Sequence, residues 1–471
     1  MPCARTRVVL VTYEFDYAPF SGNGILAQNV ATGLLRVEDT AVLVVCCRPA
    51  PCFIAASPQC EHERLERAPV DLTEDMGWRR LDRSGAAWSH FAGGASTDRV
   101  RAFAPDVALI VDWHGAAVWR ALGGATVCPA LYLNFRVYSA TAAPDEAAWY
   151  DARETDALAN SSAALALSRP DAAALERLAP STWRDAGRTV DVLLPPLRAD
   201  LHELANVPPP PENTHPAGHD GRLYLACVVR LSAEKNPKLF VEVIEKISDQ
   251  LDALGVTPLL AGAAADADYA AELRARLIRA APGALVHEDF VGPQELARLM
   301  RSCRLNFHPC EYDACEHRRG PSDAQHARAA PARAAHPHPH AARADGMTVI
   351  EAAAFGAPSV VNGGGTVGAL ELLTPDGVIE ADLRGGADAA AALVLGALRD
   401  PARLRAVGAE AQRRALAWGV EAHGDKLREH MMPLIPGNQG HPTHQAAAGA
   451  SDAGNGCSSA PRYSLSAGLS R

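Results

Sequence analysis

The chain has 471 residues, 48% of them hydrophobic, and a formal net charge of -10. That length excludes one ordinary domain and suits two or three, with enough apolar side chains for sizeable cores. The charge excludes an overall basic field of the kind that holds nucleic acid. No apolar stretch reaches the length of a membrane span, which leaves only peripheral membrane contact open. Arg5 and Arg7 are followed by the short apolar run Val8-Val9-Leu10-Val11, too short for a secretory signal. It reads as a first strand, Val8–Thr12. A loop with Gly22-Asn23-Gly24 then leads into a helix whose apolar positions are Ala27, Val30, Ala31 and Leu34. Thr40–Cys47 reads as a second strand, whereas residues 48–98 carry no period. Asp106–Asp112, Pro129–Asn134, Ala163–Ser168 and Val190–Leu194 read as further short strands. The alternation predicts an α/β domain with a parallel, doubly wound sheet over residues 1–204.

Ala205–Gly221, with Pro208-Pro209-Pro210-Pro211, reads as an interdomain linker. A second α/β alternation covers 222–435. Its strands are Leu223–Val229, Pro258–Ala261, Leu285–Phe290 and Ser359–Val361, and its helices include Tyr269–Ala280 and Gln294–Arg301. Two segments do not read as packed structure. Residues 436–471 are rich in Gly, Ser and Ala and are expected to be disordered. Cys315–Ala344, with His336-Pro337-His338-Pro339-His340 and repeated Ala and Arg, has neither helical nor strand period. The 11 cysteines are scattered. Cys46, Cys47 and Cys227 fall in apolar strands and read as small buried hydrophobes, and none has zinc spacing. A reducing, cytoplasmic compartment and no metal are the expectations.

The chemistry concentrates in two runs. Gly346-Met347-Thr348-Val349-Ile350-Glu351 opens a helix that Gly356-Ala357-Pro358 ends. A helix start beside a glycine offers free N–H groups and a positive dipole end to a phosphate, and Glu351 lies about one turn further in, where it could accept ribose hydroxyls. Arg230 and Lys235 follow the strand Leu223–Val229, at the end where ligands bind in open α/β sheets. Two cations there could neutralise a leaving diphosphate. Gly22-Asn23-Gly24-Ile25-Leu26-Ala27 also fits a loose dinucleotide fingerprint. Two features count against a nicotinamide enzyme: the preceding loop, Tyr13–Ser21, is long, and strand two ends in Cys46-Cys47-Arg48 without a ribose-holding acid. His114, in Asp112-Trp113-His114-Gly115 at a strand end, is open to sugar binding, proton handling or a structural hydrogen bond. Arg136 is open to an acceptor phosphate or to Glu154.

Taken together, these runs resemble family 4 of the glycosyltransferases, the group 1 transferases. That family has an Arg and a Lys about five apart after the first strand of the C-terminal domain, then an acid and a Glu spaced E-x7-E. Phe290-Val291-Gly292 and Leu305-Asn306-Phe307-His308-Pro309 add to the likeness, which covers most of residues 7–435. The resemblance implies the GT-B fold, two Rossmann-like domains facing a cleft. It implies retaining transfer from a uridine or guanosine diphosphate sugar to an unidentified acceptor, with no cofactor or catalytic metal. The implied catalytic residues are Asp313, Glu351, Arg230, Lys235 and His114. Gly22, Asn23, Gly24, Gly346, Met347 and Thr348 would lie on the donor. Asp266-Ala267-Asp268 has the spacing of a metal motif but precedes a helix in the C-terminal half. One departure matters: E-x7-E demands an acid at position 343, and Arg343 stands there. Removing Cys315–Ala344 joins Asp313-Ala314 to Asp345-Gly346 and restores the spacing with Asp for Glu. The segment therefore reads as an insertion. The alternative to an active transferase is an impaired relative that binds a nucleotide sugar or a protein partner.

Overall fold

Val8, Val9, Leu10 and Val11 are wholly buried and serve two cores: Val9 and Val11 pack on one face of a sheet, Val8 and Leu10 on the other. Such two-sided burial follows from the period of a strand and marks a parallel sheet covered by helices. The computed structural model describes residues 6–13, 15, 22–37, 40–46, 65–69, 93–140, 144–207, 222–264, 266–289, 291–310, 312–313, 347–364 and 366–436. The first sheet comprises β1 (Thr6–Thr12), β2 (Thr40–Cys46), β3 (Leu65–Pro69), β4 (Val107–Val111), β5 (Ala130–Asn134), β6 (Ala163–Ala166) and β7 (Val190–Val192). Their order is β3-β2-β1-β4-β5-β6-β7, every pair parallel. The stretch that showed no period supplies the edge strand β3, with Leu65 opposite Val42, and the helix Gly93–Phe103. Leu65-Glu66-Arg67-Ala68-Pro69 is a strand through its pairing with β2 rather than through its own pattern.

The second half contains β8 (Leu223–Val228), β9 (Val256–Ala261), β10 (Leu285–His287), β11 (Cys303–His308), β12 (Tyr312–Asp313), β13 (Ser359–Asn362), β14 (Thr366–Val367) and β15 (Ile379–Ala381). Six of these form a parallel sheet in the order β10-β9-β8-β11-β13-β15, while β12 and β14 pair separately. Again one strand feeds two cores: Leu225 and Cys227 face one way, Tyr224, Ala226 and Val228 the other. Several ends differ from the sequence reading by one or two residues, and at one of them a polar group caps the next helix. Ser168 is not strand; its Oγ accepts from the Asp171 N–H at the start of Arg169–Leu178. Ala205 and Asn206 belong to the helix Ala199–Asn206 rather than to a linker. The rest of the expected linker from 208 on, the segment 315–344 and the tail from 437 lie outside the described residues.

The last helix, Val420–Met431, returns to the first domain. Val420, His423, Gly424, Leu427 and Met431 form its buried stripe, and Leu427 and Met431 join the core of the first sheet. Two glycines permit the contact with the helix Gly22–Arg36. A Cβ on Gly33 would stand 2.4 Å from the Val420 carbonyl oxygen, and one on Gly424 would stand 2.8 Å from Gly33. The chain thus passes between domains twice, side by side: Leu197 bridges Gly419, and its N–H donates to the Trp418 carbonyl at 2.9 Å. Among the described residues, no helix is long and apolar enough to cross a membrane.

Candidate active site

In both sheets the strand order reverses beside the first strand, between β1 and β4 and between β8 and β11. Loops leaving the carboxyl ends of such neighbours diverge and leave a crevice for ligand. His114 follows β4, and Arg230 and Lys235 follow β8, at these two places.

On the first sheet, β4 ends at Val111 and the helix Asp112–Ala121 begins at once. Asp112 makes this elbow with φ 62°, a left-handed conformation uncommon outside glycine. Gly115 lets the new helix lie against β1, since a Cβ there would be 2.7 Å from the Val11 carbonyl oxygen. His114 therefore follows the strand end, as expected from its sequence, and sits in the first turn of the next helix. Gly22, Asn23 and Gly24 likewise form the opening turn of Gly22–Arg36 and are buried, where a loop was expected. One atom joins these pieces. Asp112 Oδ2 accepts hydrogen bonds from Asn23 Nδ2 at 3.0 Å and Tyr138 OH at 2.8 Å, and lies 3.0 Å from His114 Nδ1. A carboxylate oxygen only accepts, so this contact suits the form of His114 with its proton on Nδ1. Burial holds the His114 pKa below its ordinary value, against the opposing pull of Asp112. The ring lies 3.5 Å from the Trp113 ring and 5.3 Å from that of Tyr13, centroid to centroid.

Behind this cluster, Glu154 Oε2 accepts from Tyr132 OH at 2.6 Å and Asn134 Nδ2 at 3.0 Å. Burial, reinforced by Asp112, pushes the Glu154 carboxyl well above the usual range. The Arg136 guanidinium lies over the Tyr138 ring, 4.9 Å from its centroid.

On the second sheet, the loop after β8 runs beside the end of β9. Val229 and Leu231 N–H groups each donate at 3.0 Å, to Ala261 and Ala263. Gly262 allows this approach, with φ 151° and space for no Cβ, which would fall 1.8 Å from the Val229 oxygen. Arg230 is half-buried and Lys235 buried. Lys235 closes a 3-10 turn, after which Asn236, with φ 49°, and Pro237 start the helix Pro237–Ala253. The Cys310 thiol donates to the Lys235 carbonyl at 3.4 Å and so ties the loops after β8 and β11 together.

The helix Met347–Ala354 is buried along its length and ends as predicted: Gly356, at φ 75°, donates to Ala353 O at 2.9 Å. Gly346 lies outside the described residues. Met347 packs on Ile25, with Phe135 alongside, so the start of this helix meets the first turn of Gly22–Arg36 across the interdomain boundary. Thr348 is buried beside it. Glu351 is buried too, with Oε1 3.6 Å from Arg198 Nη1. Asp200 grips the same guanidinium through bonds of 3.1 and 2.5 Å. Burial pulls the Arg198 pKa down, but Glu351 and Asp200 together raise it above its ordinary value. The backbone of Asp313 lies in β12, opposite Val367. Asp266, whose spacing to Asp268 mimics a metal motif, is a helix cap: its Oδ1 accepts from the Asp268 and Tyr269 N–H groups at 3.0 Å each. Among the described residues, no group of three His, Cys, Asp or Glu could hold a metal ion.

Sequence reasoning missed the convergence on Asp112 and the partner of Glu351. The first left a signal, an Asp two residues before a His at a strand end. Arg198, in Leu194-Pro195-Pro196-Leu197-Arg198, left none.

The chain is similar to solved structures along about nine-tenths of its length, 90–92%. Anabaena HepE in complex with UDP superposes with a TM-score of 0.60 at 14% identity, covering 90% of this chain and 99% of that one. Sucrose-phosphate synthase from Thermosynechococcus elongatus gives 0.59 at 17% identity, over 90% and 98%. The chain has the GT-B fold. A glycosyltransferase from Rickettsia africae extends the GT-B likeness, with a TM-score of 0.61 at 10% identity over 92% of this chain and all of that one, 100%. No family model and no curated protein sequence matches the chain.

Proposed function

We propose that this GT-B chain transfers a sugar from a nucleoside diphosphate to an acceptor hydroxyl, with retention at the anomeric carbon. The observation that carries the reading is the placing of Arg230 and a buried Lys235 on one tied-down loop at the switch point of the second sheet. A cation held there stabilises charge that develops on a departing diphosphate. The bond from the anomeric carbon to the diphosphate oxygen breaks, the bond to the acceptor oxygen forms, and the acceptor's proton passes to the leaving phosphate. Such chemistry needs orientation and electrostatics rather than a protein nucleophile. The N–H groups at Gly346, Met347 and Thr348 would meet the diphosphate and Glu351 the ribose. Asp313 would serve the sugar from the C-terminal side, while His114 and the turn Gly22-Asn23-Gly24 would approach from the other. HepE, solved with UDP, supports a uridine nucleotide as the first donor to try.

A second reading, binding without turnover, is favoured by Arg343 standing where E-x7-E needs an acid. The test is a donor screen read by product mass spectrometry, with Arg230→Ala and Lys235→Ala beside the native protein. Each variant is expected to lose about a hundredfold in turnover, the equivalent of ~3 kcal/mol, with unchanged circular dichroism. Near-native turnover in both refutes the assignment. Nucleotide binding by calorimetry without any turnover selects the second reading.

A further inference from the structure

Asp112 combines features that packing does not require. Its left-handed backbone is disfavoured for a residue with a Cβ, though Asp tolerates it better than most. Its side chain is 1% exposed. Two donors, Asn23 and Tyr138, and the His114 Nδ1 meet at Oδ2 from three separate segments, while Oδ1, also buried, has no hydrogen-bond partner among the described residues. A carboxylate present only to favour a helix start works at the surface and needs neither the strain nor the burial.

We propose that Asp112 is the positioning residue of the N-terminal half of the cleft. Through Oδ2 it holds Asn23, and with it the first turn of Gly22–Arg36, in register with His114. It also fixes His114 as the Nδ1–H tautomer, which makes Nε2 a hydrogen-bond acceptor for a sugar hydroxyl. Naming the hydroxyl as a sugar's rests on the transferase reading; the tautomer and the register do not. Among the described residues, the groups facing His114 include Asp112, Tyr13, Trp113 and Tyr138. Arg136 lies over Tyr138, and behind the cluster stands Glu154, whose carboxyl the Asp112 charge helps to raise. Of these, Asp112 is the one that draws a proton towards His114, against burial.

The test pairs the native protein with Asp112→Asn, since Asn also accepts a left-handed backbone. Long-range nitrogen–proton NMR on histidine-labelled protein reads the tautomer, with the His114 signal assigned by its loss in His114→Gln. A single Nδ1–H form is expected in the native protein, and its loss in Asp112→Asn. A native Nε2–H form overturns the proposal, and this reading of the native protein decides it even where the variant does not fold. Transfer assays give the second arm. The plateau of kcat should fall about tenfold or more in Asp112→Asn. The acid limb, set by protonation of His114, should move to lower pH, because the group that favours the protonated ring has gone. A lower plateau with an unmoved limb makes Asp112 merely structural and overturns its role. Absence of turnover in the native protein with any donor sinks the transferase reading instead, and the tautomer still decides this one.

Discussion

His423→Leu is expected to raise stability and to remove a loss of stability in acid. His423 lies in the buried stripe of the helix Val420–Met431, with no solvent exposure. Neither ring nitrogen has a hydrogen-bond partner among the described residues, and the Trp418 ring stands edge-on at 6.1 Å. Burial alone pulls its pKa from 6.5 down to about 3. The unfolded chain therefore binds a proton between those values that the folded chain refuses. Stability from this group is present above about pH 6.5 and lost as pH falls towards 3. Integrated from pH 7 to pH 5, the loss comes to about 2 kcal/mol. Leucine titrates nowhere and leaves no polar atom without a partner, a gain of about 1 kcal/mol or more at pH 7. Urea unfolding of both proteins at pH 7 and pH 5, followed by circular dichroism, measures the difference. Subtracting one protein from the other cancels every other group, including Glu154, whose raised pKa acts in the opposite direction. Midpoints that fall in parallel between the two pH values, or a variant less stable at pH 7, would refute the reasoning.

Glu351→Gln should weaken binding of a nucleoside diphosphate about tenfold, ~1.4 kcal/mol, because an amide replaces charge-assisted ribose bonds only in part; calorimetry with UDP reads it, and an unchanged Kd removes the ribose role. Deleting Cys315–Ala344 should raise turnover severalfold by restoring the acid spacing to Asp313, with little change in Tm, since closure entropy varies slowly with loop length. Equal activity would mean the segment loops out harmlessly, and lost activity would make it functional.

What was legible follows from physics local to each segment. β1, β4 and β8 announce themselves because strands buried on both faces are continuous apolar runs. The helix Met347–Ala354 shows its glycine stop because a left-handed cap strongly favours that residue. β3 was hidden because its identity comes from pairing with β2 and its own five residues include Glu66, Arg67 and Pro69. The docking of Val420–Met431 was hidden because His423 and Gly424 interrupt the apolar stripe. At the cleft, the positions of Arg230 and Lys235 could be read from one strand and its following loop. The cluster at Asp112 could not, since Asn23, His114 and Tyr138 meet only after three strands have paired. The Arg198–Glu351 pair likewise joins the chain's two halves.

The returning helix also sets an order of events during synthesis. A chain made from its N-terminus usually folds each globular unit as it emerges. Here Leu427 and Met431, which complete the core around Val8 and Leu10, are made only after the strands of the second sheet. Until then the face of Gly22–Arg36 that carries Gly33 has no cover, and a ribosome-bound first half keeps that apolar surface open to chaperones. Contacts so distant in sequence make the final step slow. The first sheet is thus finished only after the second has been made, and a chain stopped short of Val420 would leave it open.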